Sequence, residues 1–142
     1  MKKLISACVI VFAALGAARA EAPADVVRYF YESPDEVFNV DNPRLADPLL
    51  AVMKSNAAHN DEPCIDFSPA LAAQDWDETE LKKSLKLDEK IDGDKAVVLA
   101  TFKLFDNDTE VEWDLAKVGD SWKVADIASK VDEWRMSEIK CE

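Results

Sequence analysis

The residue with the clearest chemical potential is Asp126, an aspartate in the mostly apolar stretch from Trp122 to Ala128. If this stretch is a strand, antiparallel pairing with the preceding strand places the carboxylate on the apolar face, beside Trp113. In a dry cavity a carboxylate can act as a general base, which makes Asp126 the candidate catalytic residue. The structural alternatives are a carboxylate hydrogen-bonded to backbone or to a helix, and a carboxylate at a wetted rim.

Aromatic side chains give a second candidate site. Tyr and Trp join an apolar ring to one polar group, so they can both enclose and orient a flat ligand. The candidates for such a pocket are Tyr29, Phe102, Trp113, Trp122 and Asp126. Aromatic residues at these spacings also form ordinary cores, and the sequence leaves both alternatives open.

The sequence predicts no metal site and no cofactor. His59 is the only histidine, and the acidic clusters at 75–80 and 106–108 lack the central glycine of a calcium loop. No serine or cysteine lies in a nucleophile motif. The sequence therefore leaves catalysis uncertain and favours a role without it.

The first twenty residues are typical of a bacterial secretory signal peptide. Two lysines precede an apolar run over 4–17, and Ala18-Arg19-Ala20 forms a cleavage site. We expect cleavage after Ala20, a single domain over 21–142, and a periplasmic or secreted protein with no membrane span. Loss of Lys2, Lys3 and Arg19 takes the net charge from −12 to −15. Such acidity disfavours nucleic acid and anionic membranes as partners.

Cleavage would leave two cysteines, Cys64 and Cys141. Lone cysteine pairs usually join in an oxidising compartment, and neither residue lies in a Cys-x-x-Cys motif. We therefore predict a structural disulfide between them, with a redox pair as the alternative.

The stretch over 84–129 predicts a meander of four strands, at 84–91, 95–105, 109–118 and 121–128. Turn-forming residues separate the strands at 92–94, 107–108 and 119–120. Antiparallel pairing about these turns gathers apolar residues on one face, which must pack against another layer. The predicted opposite pairs are Leu87 and Ala100, Leu104 and Val111, Phe102 and Trp113, Leu115 and Val124, and Trp113 and Asp126. The apolar exceptions on the polar face are Val97, Leu99, Phe105 and Ile127.

Helices are predicted before the meander. Apolar spacing indicates a helix over 25–33, and Ser33-Pro34 starts a short second helix with Ser33 as its cap. A third helix is predicted to begin near Asn42-Pro43. Pro48 is expected to shift the start of its regular α-helical turns further along the chain. The segment 61–79 is expected to be a packed loop, and 131–139 either a short helix or a terminal strand. The predicted fold class is α+β, with N-terminal helices packed on one face of a curved four-stranded antiparallel meander.

The segment Trp122-Lys123-Val124-Ala125-Asp126-Ile127, closing a meander that follows helices, resembles a strand of the nuclear-transport-factor-like superfamily. Phe30-Tyr31 and Ala73-Gln74-Asp75 also resemble a family of secreted bacterial domains of unknown function within it. The resemblance implies a cone-shaped α+β domain with a cavity at its wide end. Members of the superfamily include isomerases, dehydratases and binding domains, and this chain lacks the acid–histidine pairs of some catalytic members.

The resulting prediction is an exported domain that binds a small apolar ligand or a protein partner at the open end of the cone. One alternative is an isomerase-like or dehydratase-like enzyme with Asp126 as general base. Another is an acidic inhibitor or immunity-type protein that covers a basic secreted enzyme. The apolar exceptions on the outer face would also suit a homodimer, namely Val97, Leu99, Phe105 and Ile127. The sequence names neither ligand nor partner.

Overall fold

Three helices and one antiparallel sheet make up the part of the chain that the computed structural model describes, residues 19–59 and 61–141. The helices are α1 (Pro23–Glu32), α2 (Leu49–Ala58) and α3 (Glu78–Ser84), with 3-10 helices at Pro34–Phe38 and Met136–Glu138. The strands are β1 (Lys86–Asp92), β2 (Lys95–Leu104), β3 (Asn107–Val118), β4 (Ser121–Ser129) and β5 (Trp134–Arg135). The predicted α+β class is confirmed. Residues 1–18, which hold most of the predicted signal peptide, lie outside the described part.

The sheet has five strands in the order β1-β2-β3-β4-β5, so the prediction of four is wrong. The chain reverses after β4 because the Ser129 hydroxyl accepts a hydrogen bond from the Asp132 amide at 3.1 Å and donates one to its carboxylate at 2.9 Å. The segment predicted as helix or strand contains both, a short β5 and then a 3-10 helix. No helix of the described residues is long and apolar enough to cross a membrane.

The β2–β3 turn lies one pair of residues earlier than predicted. Phe105 and Asp106 form it, with φ of 51° and 65°, in place of Asn107-Asp108. Phe102 therefore pairs with Thr109 and not with Trp113, a register shift of four residues. Because the shift is even, every side chain keeps its predicted face. The sequence prediction missed the carboxylate of Glu80, which accepts hydrogen bonds from both turn amides.

A β-bulge in β4 changes which residues face the core. Leu115 pairs with Val124 as predicted, but Asp114 pairs with Asp126, so Ala125 is the extra residue. An extra residue reverses the facing of the rest of the strand. Ile127 consequently enters the core, fully buried, and Asp126 turns to the outer face. The predicted position of Asp126 opposite Trp113 is wrong for this reason.

The helices cover the inner face of the sheet, as predicted. α1 packs against β1, β2 and β4 through Val26, Val27, Phe30 and Tyr31, which are all buried. α2 packs against β4 and the C-terminal 3-10 helix. The segment before α2 joins the sheet, since the Ala46 amide donates to the Val124 carbonyl at 2.9 Å. The core therefore lies between α1, α2 and the apolar face of the meander.

Of the three α-helices in the described residues, only α3 starts with a side-chain cap. The Asp77 side chain accepts a hydrogen bond from the Glu80 amide at 2.7 Å and starts α3, a helix that the sequence analysis left out. The pattern Asp77-x-x-Glu80 is a helix-start signal that could have revealed it. The short helix after Ser33 is present, but the Ser33 side chain makes no capping hydrogen bond.

Candidate functional site

Two of the aromatic pocket candidates, Trp113 and Phe102, pack into the core beside α1. The Trp113 ring is fully buried and stacks on Phe30, with ring centroids 5.5 Å apart. Its indole N–H donates a hydrogen bond to the Tyr31 hydroxyl at 3.0 Å. The Phe102 ring lies 5.4 Å from that of Tyr31. These rings contact one another as core side chains do.

The other two aromatic candidates lie in different surroundings. The guanidinium of Arg44 sits 4.1 Å above the centre of the half-buried Tyr29 ring. The Lys117 ammonium lies 5.8 Å from the centre of Trp122. The five predicted pocket residues are thus divided among the core, which holds Phe102, Trp113 and Trp122, the half-buried position of Tyr29, and the outer sheet face with Asp126. A ligand pocket at the wide end stays a prediction.

The Asp126 carboxylate is buried and fully engaged in hydrogen bonds. It accepts from the Ser137 amide at 3.0 Å, from the Ser137 hydroxyl and from the Arg135 guanidinium at 3.1 Å. These contacts tie the C-terminal 3-10 helix to β4. They match the structural alternative, a carboxylate that holds backbone in place, and the catalytic role stays an untested prediction.

Arg135 is the centre of a charge cluster that the sequence analysis missed. Its guanidinium contacts three carboxylates, those of Glu112 at 3.2 Å, Asp114 and Asp126. The hydrogen bonds that Arg135 donates to Asp114 and then to Asp126 raise the pKa of Arg135 further above its ordinary value. The Lys130 ammonium also reaches Glu112 at 2.8 Å, and that hydrogen bond lowers the pKa of the Glu112 carboxyl. The cluster therefore holds its charges in fixed, mutually compensating positions.

The outer face of the sheet is a charged surface with a groove at one end. Four acids occupy alternate positions on the outer side of β3, namely Asp108, Glu110, Glu112 and Asp114. Lysines from neighbouring strands flank them, and Lys103 lies 3.9 Å from Asp108. A groove of about 550 Å³ opens beside the β2–β3 turn, lined by residues that include Lys86, Thr101, Lys103, Glu110 and Val131. This face can offer a protein both charge and a shaped surface.

Apolar residues on the outer face follow the sequence prediction in part. Val97 and Leu99 lie on it between the charged rows, whereas the bulge has moved Ile127 into the core. Phe105 is 60% exposed at the tip of the β2–β3 hairpin. A homodimer through this face stays a prediction.

The two cysteines of the described chain are joined. The Cys64–Cys141 disulfide links the loop after α2 to the last turn of the chain, as predicted. The side chain of Asn56 in α2 supports that loop by accepting a hydrogen bond from the Ile65 amide at 3.0 Å. Together with Asp126, the bridge holds the C-terminal segment against the sheet.

Comparison with known proteins gives a fold likeness. No protein-family model matches the chain, and no curated protein sequence matches it either. Similar solved structures are chains of the type VI effector–immunity complex Tae3-Tai3 from Ralstonia pickettii. The selenomethionine form gives a TM-score of 0.57 at 18% identity, covering 77% of this chain and 97% of that chain. The native form gives 0.57 at 22% identity, covering 84% and 99%. At these identities the likeness establishes a shared fold, and the resemblance to the nuclear-transport-factor-like superfamily stays a prediction.

Proposed function

We propose that this chain is an exported immunity-type protein that binds a basic secreted effector and blocks its activity. The observation that carries the proposal is the shared fold with a chain of an effector–immunity complex, over nearly the whole length of that chain. Fold alone does not fix function, so charge and side-chain chemistry must support the assignment.

Charge supports a basic partner. The net charge of the chain is −12, and an acidic surface attracts a cationic protein, speeds the encounter and orients the two surfaces. Exposed acids are spread over the turns, and those along β3 lie on the outer side of the sheet, where Arg135, Lys130 and Lys103 offset part of their charge. An inhibitor acts by binding to its target, and an acidic surface is suited to binding a basic target.

The immunity role is favoured over the effector role by the state of Asp126. A toxin needs a reactive group within reach of substrate, whereas this carboxylate already accepts hydrogen bonds from Arg135 and Ser137 in a buried position. These contacts support a structural role for Asp126 over a catalytic one. The proposal therefore combines two predictions from the sequence, binding of a protein partner and an immunity-type role.

The disulfide and the predicted signal peptide support a periplasmic site of action. Structural disulfides persist in oxidising compartments such as the periplasm, and Cys64–Cys141 closes a separation of 77 residues. A periplasmic inhibitor would meet an effector delivered there before the effector reached its target.

The test is recovery and reconstitution of the complex. The chain, tagged at its C-terminus and exported with its own leader, is purified at low salt from the bacterium that encodes it. Basic proteins that co-purify in stoichiometric amount are identified by mass spectrometry. Each is then produced alone and directed to the periplasm of a test strain, with and without this chain.

The proposal expects one basic partner that arrests growth alone and is harmless when this chain is co-expressed. The proposal fails if no basic partner is recovered, or if the recovered protein is equally toxic in the presence of this chain. Native mass spectrometry of the same preparation tests the alternative prediction of a small-molecule ligand, because a bound small molecule would support ligand binding instead.

A further inference from the structure

We propose that the tip of the β2–β3 hairpin is the docking element of this protein, with Phe105 inserted into an apolar recess that is rimmed by Lys and Arg on its partner. This inference rests on the proposed function, because the partner is the basic effector. It goes further by naming the surface that binds the partner and the kinds of side chain through which the two proteins recognise each other.

The first observation is the position of Phe105. A residue at a two-residue hairpin turn with positive φ is usually Gly, Asn or Asp, because a bulky side chain makes that conformation costly. Here Phe105 adopts φ of 51° and leaves its ring 60% exposed. The chain thus keeps a large apolar ring in solvent at a position where a small polar residue would fold more easily.

The second observation is that the turn is held rigidly. The two carboxylate oxygens of Glu80 accept hydrogen bonds from the Phe105 amide at 2.6 Å and the Asp106 amide at 2.8 Å. Glu80 is itself fixed, since its own amide donates to the capping carboxylate of Asp77. The Asn107 side chain donates to the Phe105 carbonyl at 3.1 Å. A turn whose backbone is already ordered loses little backbone freedom on binding, which favours affinity.

The third observation is the surrounding surface. Val131, on the β4–β5 turn, is 78% exposed and lines a groove together with Asp108 and Glu110. Further exposed acids surround this end of the sheet, at Asp106, Asp132 and Glu133. An apolar centre within a charged rim is the arrangement of protein-binding hot spots. Lys86 and Lys103 line the same groove, but the five acids named here outnumber them, so the net charge of the rim is negative and charge complementarity selects a partner with a basic rim.

The experiment measures binding to the recovered basic effector, produced recombinantly. Phe105→Asn removes the ring but suits the left-handed turn, so the fold is kept, and an unchanged or higher melting temperature verifies this. The control is Ile91→Asn, which removes an apolar side chain 52% exposed at the opposite end of the sheet. We expect Phe105→Asn to raise Kd about thirtyfold or more, and the control less than about threefold.

The role of the acidic rim is tested with two double variants. Asp106→Asn with Asp108→Asn should lower the association rate and weaken its dependence on salt, because steering by the acidic rim is lost. Asp92→Asn with Asp94→Asn removes the same charge at the far end of the sheet and should change the rate much less.

The outcomes separate the two proposals. If wild type binds no basic effector, the proposed function fails and this inference fails with it. If wild type binds but Phe105→Asn stays within about threefold of wild type, the docking element lies elsewhere while the proposed function stands. Equal rate effects from the near and far acidic pairs would overturn the basic-rim assignment.

Discussion

The hydrogen bond between Trp113 and Tyr31 is the only polar contact that the described structure gives either side chain, and it lies inside the core. Tyr31→Phe removes the acceptor while leaving the ring in place. The Trp113 N–H, fully buried, then has no partner, and an unsatisfied buried donor costs about 1–3 kcal/mol. We expect a loss of about 2 kcal/mol, which for a domain of this size lowers the midpoint temperature by roughly 6–10 °C.

The assay is urea unfolding followed by tryptophan fluorescence, with Tyr29→Phe as the matched control. Both tyrosines lie on α1, so helix propensity changes equally in the two variants. The Tyr29 hydroxyl bonds to Glu36 near the surface, where the net worth of a hydrogen bond is smaller, and its loss should cost less than about 1 kcal/mol. The reasoning is refuted if Tyr31→Phe costs no more than the control.

Alkaline pH provides a second readout of the same contact. Burial raises the pKa of the Tyr31 phenol above the ordinary value of 10.0. The folded state therefore keeps this proton where the unfolded state releases it, so stability is fully present below about pH 10 and falls as pH rises further. Tyr31→Phe should lose less stability than wild type between about pH 10 and pH 11. Parallel losses would contradict the assigned burial.

Three further outcomes follow from the C-terminal segment and the outer face. Asp126→Ala should lower the free energy of unfolding by about 2–3 kcal/mol, measured in urea, because it leaves Arg135 and Ser137 without their buried acceptor. Intact mass should be two hydrogen atoms below that of the reduced chain, and replacing both Cys64 and Cys141 by Ser should remove about 4 kcal/mol of stability, given the length of the closed loop. Because Lys130 lowers the pKa of Glu112 below 4.5, that stabilisation is present above about pH 4.5 and is lost as pH falls further, so Glu112→Gln should flatten the acid limb of the stability curve.

Each of these outcomes has a control and a contrary result. Asp120→Ala, in an exposed turn, should change stability by less than about 0.5 kcal/mol, and an equal effect at Asp126 would contradict the anchor role. Free-thiol labelling of the native chain at Cys64 would exclude the bridge. An acid limb of unchanged slope in Glu112→Gln would show that the Lys130 contact carries no net stabilisation.

The faces of the sheet could be predicted from the sequence because alternation is a local property of a strand. Leu115 opposite Val124 and Leu87 opposite Ala100 required only turn residues and period two, and both pairs are present. The β2–β3 register could not be predicted in the same way. It depends on Glu80, which lies in another element and binds the turn amides from outside the hairpin.

The candidate site was harder to predict because its residues are brought together by irregularities. The bulge at Ala125 decides that Asp126 faces outward, and the two-residue strand β5 decides that Arg135 meets it. Neither a single extra residue nor so short a strand leaves a periodic signal in the sequence. The disulfide was predictable because the expected loss of Cys8 with the signal peptide leaves only Cys64 and Cys141 to pair.

The way β4 is flanked has a consequence for behaviour at high concentration. Exposed strand edges invite pairing with other copies, yet the outward edge of β4 is occupied by Arg44–Ala46 over its first half and by β5 over its second. At the opposite margin of the sheet, β1 presents charged side chains that include Lys86, Asp88 and Lys90. Continuous strand addition is therefore disfavoured at both margins of the described sheet, and we expect concentrated solutions of the protein to resist growth of strand-paired polymers.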